Sequence, residues 1–105
     1  MLDNVRSFKD YLNSLLPDGF NGYIEIFHQN GDIANGVTLL RNLISEFDFS
    51  GQVVEGLSNR FTRTDSISDV KRSIQRNCNF PENGIKFFDN TGSELHGSNL
   101  IGNIQ

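Results

Sequence analysis

His28, His96, Cys78 and the stretch Asp89-Asn90-Thr91-Gly92-Ser93-Glu94 are the parts of this 105-residue protein whose residue types could do chemistry. A side-chain nucleophile needs a base within hydrogen-bond reach, and the spacing of these histidines and this cysteine assembles no such pair. His28 falls in an alternating, strand-like run and reads as structural. His96, next to Gly97, reads as a solvated loop residue. One cysteine excludes both an intramolecular disulfide and a thiolate zinc site. The Asp89–Glu94 stretch offers oxygen ligands, but it is too short for a calcium-binding EF-hand loop and lacks that loop's closing glutamate. It reads instead as a turn satisfied by its own Asp and Asn side chains. Asn-Gly dipeptides begin at residues 21, 30, 35 and 83. They are scattered rather than gathered into a phosphate-cradling series, and they mark turns. No catalytic constellation, metal or cofactor is expected, and the protein reads as a non-enzyme.

Two other groups of residues suit recognition. Lys86-Phe87-Phe88 places a basic residue beside two aromatics on one short strand. A strand alternates its faces, so one Phe faces the core and the other solvent. An exposed Phe is the kind of anchor on which binding energy concentrates. Arg60, Arg63, Lys71, Arg72 and Arg76 gather positive charge against Asp65 and Asp69. They read either as a solvated helix face with local ion pairs or as a contact for an acidic partner or a phosphate. The candidate protein-binding residues are therefore Lys86 with whichever of Phe87 and Phe88 faces outward, and Arg72 and Arg76.

The composition agrees with a globular binder. Apolar residues make up 36% of the sequence, with nine Phe and no Trp, and the net charge is −4. Charge of this size fits a folded domain rather than a disordered one. It disfavours a dedicated nucleic-acid binder, which is normally basic over the whole domain. No apolar run approaches the ~18 residues of a membrane span, and no signal-peptide pattern opens the sequence. A cytoplasmic or nuclear location, with no membrane partner, is the expectation.

The elements that must position these residues follow from periodicity. Leu2, Val5, Phe8, Leu12 and Leu15 recur at helical spacing, and Pro17-Asp18-Gly19 ends the run, predicting a helix over 2–16. Residues 22–29 alternate, with Tyr23, Glu25 and Phe27 on one side and Ile24, Ile26 and His28 on the other, predicting a strand that closes at Asn30-Gly31. Ile33, Val37, Leu40 and Ile44 predict a helix near 34–44. Phe47 and Phe49 predict a strand over 46–50, and Leu57 and Phe61 a second over 53–62 with a bulge at Gly56. Ser66 caps a helix carrying Ile67, Val70 and Ile74, which Pro81 limits. Residues 84–89 predict a strand, and Glu94-Leu95 a further short one. With no linker or repeat, residues 1–105 read as one domain.

The ordered series Ser66-Ile67-Ser68-Asp69-Val70-Lys71-Arg72-Ser73-Ile74-Gln75, Phe80-Pro81, Lys86-Phe87-Phe88, Gly92-x-x-Leu95, Leu100 and Asn103-Ile104 resembles ubiquitin-like domains. The strong part covers residues 66–104, and a weaker part reaches back to about 45. The resemblance implies an α+β fold of β-grasp type, a mixed sheet packed on the helix that carries Ile67, Val70 and Ile74, with residues 45–105 as core and 1–44 as an N-terminal helix-strand-helix extension. It implies that Phe87 points inward and Phe88 outward, with Lys86 alongside, and that this strand carries a recognition surface. The alternative is that the N-terminal helix covers Phe88.

Two departures shape the expectation. Ubiquitin-like domains carry one more strand after the closing Asn-Ile, in the middle of the sheet, and this sequence stops at Gln105. An empty central slot would expose two rows of backbone donors and acceptors. Residues 23–28 are the candidate to fill it, parallel to 46–50 through a right-handed βαβ crossover, as in a circular permutation. The other possibilities are a fragment of a longer protein and a strand donated by a partner or second copy, including a homodimer by strand exchange. The sequence also ends in Gly102-Asn103-Ile104-Gln105, without the Gly-Gly tail of conjugated or sulfur-carrying relatives. The resemblance therefore implies a non-conjugatable interaction module or adaptor that binds a protein partner. The alternatives are a precursor or relic of a modifier or sulfur carrier, or a structural protein that self-assembles through a sheet edge.

Overall fold

The computed structural model describes residues 2–103. In sequence order these form helix α1 (Val5–Leu15), strand β1 (Tyr23–Ile26), helix α2 (Leu40–Ser45), helix α3 (Ile67–Cys78), a 3-10 turn (Glu82–Gly84), strand β2 (Ile85–Phe88) and a second 3-10 turn (Ile101–Asn103). The architecture is α+β: three helices and a two-stranded antiparallel sheet.

Helices α1 and α3 form where a cap meets an apolar stripe. At α1, Asn4 Oδ1 accepts the Ser7 N–H at 2.9 Å and Ser7 Oγ accepts the Asn4 N–H at 3.3 Å, a reciprocal capping box. The next two N–H groups, of Val5 and Arg6, donate to Thr38 O and Gly36 O, both at 3.0 Å. Val5, Phe8 and Leu12 on the inner stripe are fully buried. At α3, Ser66 Oγ accepts the Asp69 N–H at 3.1 Å, and the Ile67 and Ser68 N–H groups donate to Asn99 O and Gly97 O. Ile67, Val70, Ile74 and Cys78 are buried, and each large side chain withdrawn from water in this way contributes about 1.5–3 kcal/mol. Asn79 ends the helix in the left-handed conformation, φ 59°, with its Nδ2 donating to Ser50 O at 2.8 Å.

The sheet pairs Tyr23 with Phe88, Ile24 with Phe87, Glu25 with Lys86 and Ile26 with Ile85. Side chains alternate, so Ile24, Ile26, Ile85 and Phe87 face the core while Tyr23, Glu25, Lys86 and Phe88 face outward. One connected cluster runs from Val5 to Ile101, with the Phe8 and Phe80 rings 4.8 Å apart within it.

Four predicted elements are corrected. The helix expected near 34–44 forms only over Leu40–Ser45. Residues 35–38 instead make an Asx turn, in which Asn35 Oδ1 accepts the Val37 N–H and the Thr38 hydroxyl. The carbonyls of Gly36 and Thr38 accept from the first turn of α1, so they are not free to build a helix of their own.

The strand expected over 46–50 is the C-terminal turn of α2. Asp48 is left-handed at φ 64°. Phe49 N–H donates to Ile44 O and Asp48 N–H to Ser45 O, which is a Schellman motif. Phe47 and Phe49 are both half-buried against the core, as an alternating strand would place them, but they reach it from either side of a reversed backbone.

The strand expected over 53–62 runs without a ladder partner. Its backbone closes helix ends instead: Val54 N–H donates to Cys78 O at 3.0 Å and Phe61 N–H to Leu15 O at 2.8 Å. Leu57 N–H donates to the Tyr11 hydroxyl at 3.0 Å. Val53 and Phe61 are buried and Leu57 half-buried, a spacing of four rather than the two of a strand. Residues 23–28 accordingly have no parallel partner at 46–50, and no βαβ crossover forms between them. The partner of β1 is β2, and it is antiparallel. Glu94 makes a single bridge to Phe88, and Leu95 N–H donates to Phe87 O at 2.8 Å, in place of the short strand expected there. Ile104 and Gln105, the end of the closing motif, lie outside the described residues.

Candidate protein-binding face

The outward side of the β1–β2 ribbon brings aromatic and charged side chains together, with Tyr23 exposed and Glu25, Lys86 and Phe88 half-buried. Tyr23 and Phe88 sit opposite each other in register, and their rings stack at 5.1 Å with 13° between planes. Phe27 tilts against Phe88 at 6.3 Å, and Lys86 Nζ lies 4.8 Å above the Phe27 ring. A cation over an aromatic face is attracted by the ring quadrupole, by about 0.5–1 kcal/mol at an exposed site. Tyr23 remains 43% exposed while Phe27 is 8% exposed, so Phe27 is the floor of this surface and Tyr23 its rim. Glu25, beside Lys86, pairs with Lys9 of α1 at 2.7 Å.

Phe87 is fully buried and Phe88 half-buried. The N-terminal helix is not the ring neighbour of Phe88. Helix α1 turns Val5, Phe8 and Leu12 into the core, and the aromatic rings beside Phe88 are Tyr23 and Phe27. Sequence reasoning placed Tyr23 and Phe27 on one side of their strand but did not join them to Phe88. The signal was present in the alternation of residues 23–28, and only the wrong strand partner hid it.

The basic residues of α3 are elsewhere. Arg72 pairs with Asp69 at 3.0 Å on the same helix and also donates to Ser68 Oγ. Arg76 is exposed and makes no ion pair among the described residues. Arg60 donates to Leu16 O at 2.7 Å and Arg63 to Gly102 O at 3.0 Å, so both close helix-end or terminal backbone. No hydrogen bond, ion pair or ring contact among the described residues joins Arg72 or Arg76 to Lys86 or Phe88.

His28, Cys78 and Asp89 have the following surroundings. His28 Nδ1 lies 2.9 Å from Glu46 Oε2, and the Gln29 N–H donates to Glu46 Oε1 at 3.1 Å, tying the end of β1 to the end of α2. The His28 hydrogen bond, and after it the Gln29 N–H, hold the Glu46 carboxyl below the usual range. Cys78 is buried, and burial pushes its thiol up, so little thiolate forms. Asp89 Oδ1 accepts from Thr91 N, Thr91 Oγ1 and Ser93 N, with the Thr91 hydroxyl foremost in lowering its carboxyl. That loop is the self-satisfied turn read from the sequence. An open groove of about 300 Å³ lies between Leu2, Asp3, Leu39, Leu40, Arg41, Gln52 and Val53, with one acid and one base on its walls. Among the described residues no three His, Cys, Asp or Glu side chains gather as a metal site, and no helix is long and apolar enough to cross a membrane.

Comparison of the sequence and fold with protein-family models, with curated proteins and with solved structures finds no match in any of the three.

Proposed function

We propose that this protein is a non-catalytic interaction module whose docking surface is the outer face of the β1–β2 ribbon. The observation that carries the reading is the Tyr23–Phe88 stack, held in register by the ladder and left open to solvent at Tyr23. Binding hot spots concentrate in aromatic and cationic residues held rigidly by neighbours. Here Phe27 supports the ring pair from below, and Lys86 supplies an adjacent charge. The ladder fixes these side chains before any partner arrives, which lowers the ordering cost of association.

The kinship proposed is with ubiquitin-like domains, in which the strand matching 85–88 presents such a surface. Support comes from the capped helix α3 with Ile67, Val70 and Ile74 buried, and from Phe87 turned inward with them. An upstream strand that pairs with 85–88 also fits a rearranged β-grasp. The lack of strands over 46–50 and 53–62 separates this protein from the full mixed sheet. The function does not depend on that kinship, because the aromatic face exists in either case.

Affinity capture from cell extract, run side by side for wild type, Phe88→Ala and Arg76→Ala, tests the proposal. Partners retained by Arg76→Ala and lost by Phe88→Ala are the expected result. Equal recovery by wild type and a folded Phe88→Ala removes the ribbon face as the docking surface.

A further inference from the structure

We infer that Asn21 is a site of spontaneous covalent modification, deamidating through a cyclic imide well ahead of the other Asn-Gly sites of the protein. In this reaction the backbone nitrogen of the following residue attacks the asparagine Cγ. A new bond forms between that nitrogen and Cγ, and the attacking amide gives its proton to hydroxide. The carboxamide bond from Cγ to Nδ2 breaks, and the departing nitrogen takes a proton from water, leaving as ammonia and regenerating the hydroxide. Water then opens the five-membered imide at either carbonyl, leaving aspartate or isoaspartate. No electrons are transferred, and water and hydroxide are the only co-reactants.

Glycine after asparagine removes the steric barrier equally at Asn21, Asn30, Asn35 and Asn83, and all four asparagines are exposed. Exposure therefore does not rank them, but hydrogen bonding does. Gly31 N–H donates to His28 O at 3.0 Å and Gly84 N–H to Pro81 O at 3.1 Å, so the attacking nitrogens at Asn30 and Asn83 are tied. The Asn30 side chain is also held at both ends, accepting from Asp32 N–H and donating to Asp32 Oδ2. Gly36 N–H has no partner among the described residues, but Asn35 Oδ1 is fixed by the Val37 N–H and the Thr38 hydroxyl, each at 3.1 Å. Only Asn21 combines an untethered carboxamide with an unpaired following N–H among the described residues.

The consequence falls on β1. Gly22 is packed so closely on β2 that an added Cβ would lie 1.9 Å from Phe88 O and 3.1 Å from the Phe20 ring. An isoaspartate at position 21 lengthens the backbone by one methylene immediately before that contact. The start of the ladder must shift, and the Tyr23–Phe88 stack shifts with it. The inference stands whether or not that face binds a partner.

The test is to incubate the full folded protein at mildly alkaline pH and follow the mass gain of about 1 Da at each site. A glutamate-specific protease cuts after Glu25, which separates Asn21 from Asn30 and Asn35, and fragmentation resolves the rest. Asn21 is expected to convert about 10-fold faster than Asn30 and Asn83, the scale set by local opening of their hydrogen bonds, with Asn35 between. In denaturant the four sites are expected to converge. Conversion at Asn30 or Asn83 as fast as at Asn21 in the folded protein overturns the inference. So does a rank order that is unchanged by unfolding, because that order would then come from sequence and not from structure.

Discussion

Tyr23 and Phe88 are directly opposed across the only ladder among the described residues, and their rings stack 5.1 Å apart. The pair joins a rim residue to a half-buried one, so it contributes to stability and to recognition at once. A cross-strand aromatic pair adds about 0.5–1.5 kcal/mol beyond area burial. Phe88→Ala is expected to lower unfolding free energy by about 1–2 kcal/mol and Tyr23→Ala by less. Urea unfolding of both single variants and the double variant would give a coupling of roughly 0.5–1 kcal/mol. Strict additivity would mean the stack contributes nothing.

Gly56 sits against the end of α3, where an added Cβ would lie 1.8 Å from Asn77 O and 2.8 Å from its carbonyl carbon. Both are backbone atoms, so no rotamer change relieves the clash. Gly56→Ala is expected to cost more than ~2 kcal/mol, since the 53–61 segment must lift off both helix ends. Gly31→Ala is the control. Gly31 has φ +96° but open space around it, so only backbone strain of about 1–2 kcal/mol is expected. Thermal melts of the two variants order these effects.

Asp48 and Asn79 both adopt left-handed backbone at a helix end, at φ 64° and 59°. Their substitution by glycine should nonetheless have opposite signs. Asp48→Gly removes steric strain with no hydrogen bond lost from its carboxylate among the described residues, and a gain of about 0.5–1 kcal/mol is expected. Asn79→Gly relieves the same strain but deletes the Nδ2 bonds to Ser50 O at 2.8 Å and Gln52 O at 3.2 Å. A net loss of stability is expected there. Chemical denaturation midpoints that move in the same direction for both would contradict this account.

The Glu46 carboxyl is held below its ordinary value, first by His28 and then by the Gln29 N–H. Its folded pKa is therefore lower than its unfolded one. The stabilisation is fully present above the unfolded value and is lost as pH falls through the folded one. The site is open to solvent, so salt should weaken the effect. Glu46→Gln is expected to flatten the acid limb of a melting-temperature profile while leaving its shape above neutrality unchanged. An acid limb identical to wild type would remove the Glu46 contribution.

Much of the fold was legible in the sequence where one signal decided an element. The stripes Val5-Phe8-Leu12 and Ile67-Val70-Ile74 marked α1 and α3, and alternation marked β1 and β2, while the assignment of Phe87 inward and Phe88 outward came from the resemblance. What misled was the middle of the sequence. Phe47 and Phe49 carry strand-like spacing, yet Asp48 reverses the backbone between them, and aspartate does not announce a left-handed residue as glycine does. Residues 35–38 and 53–61 contribute their hydrogen bonds to the ends of α1 and α3. Such long-range capping leaves no local pattern to read. The candidate face was half legible for the same reason: its residues were visible singly, but their pairing required the register.

The most direct test of the central claim is an amide NMR titration of the labelled protein with the partner recovered by affinity capture. Shifts or broadening concentrated at Tyr23–Phe27 and Ile85–Phe88, with α3 around Arg72 and Arg76 undisturbed, are the predicted result. Perturbation confined to α3, or to the groove between Leu39 and Val53, would contradict the assignment of the ribbon as the binding face.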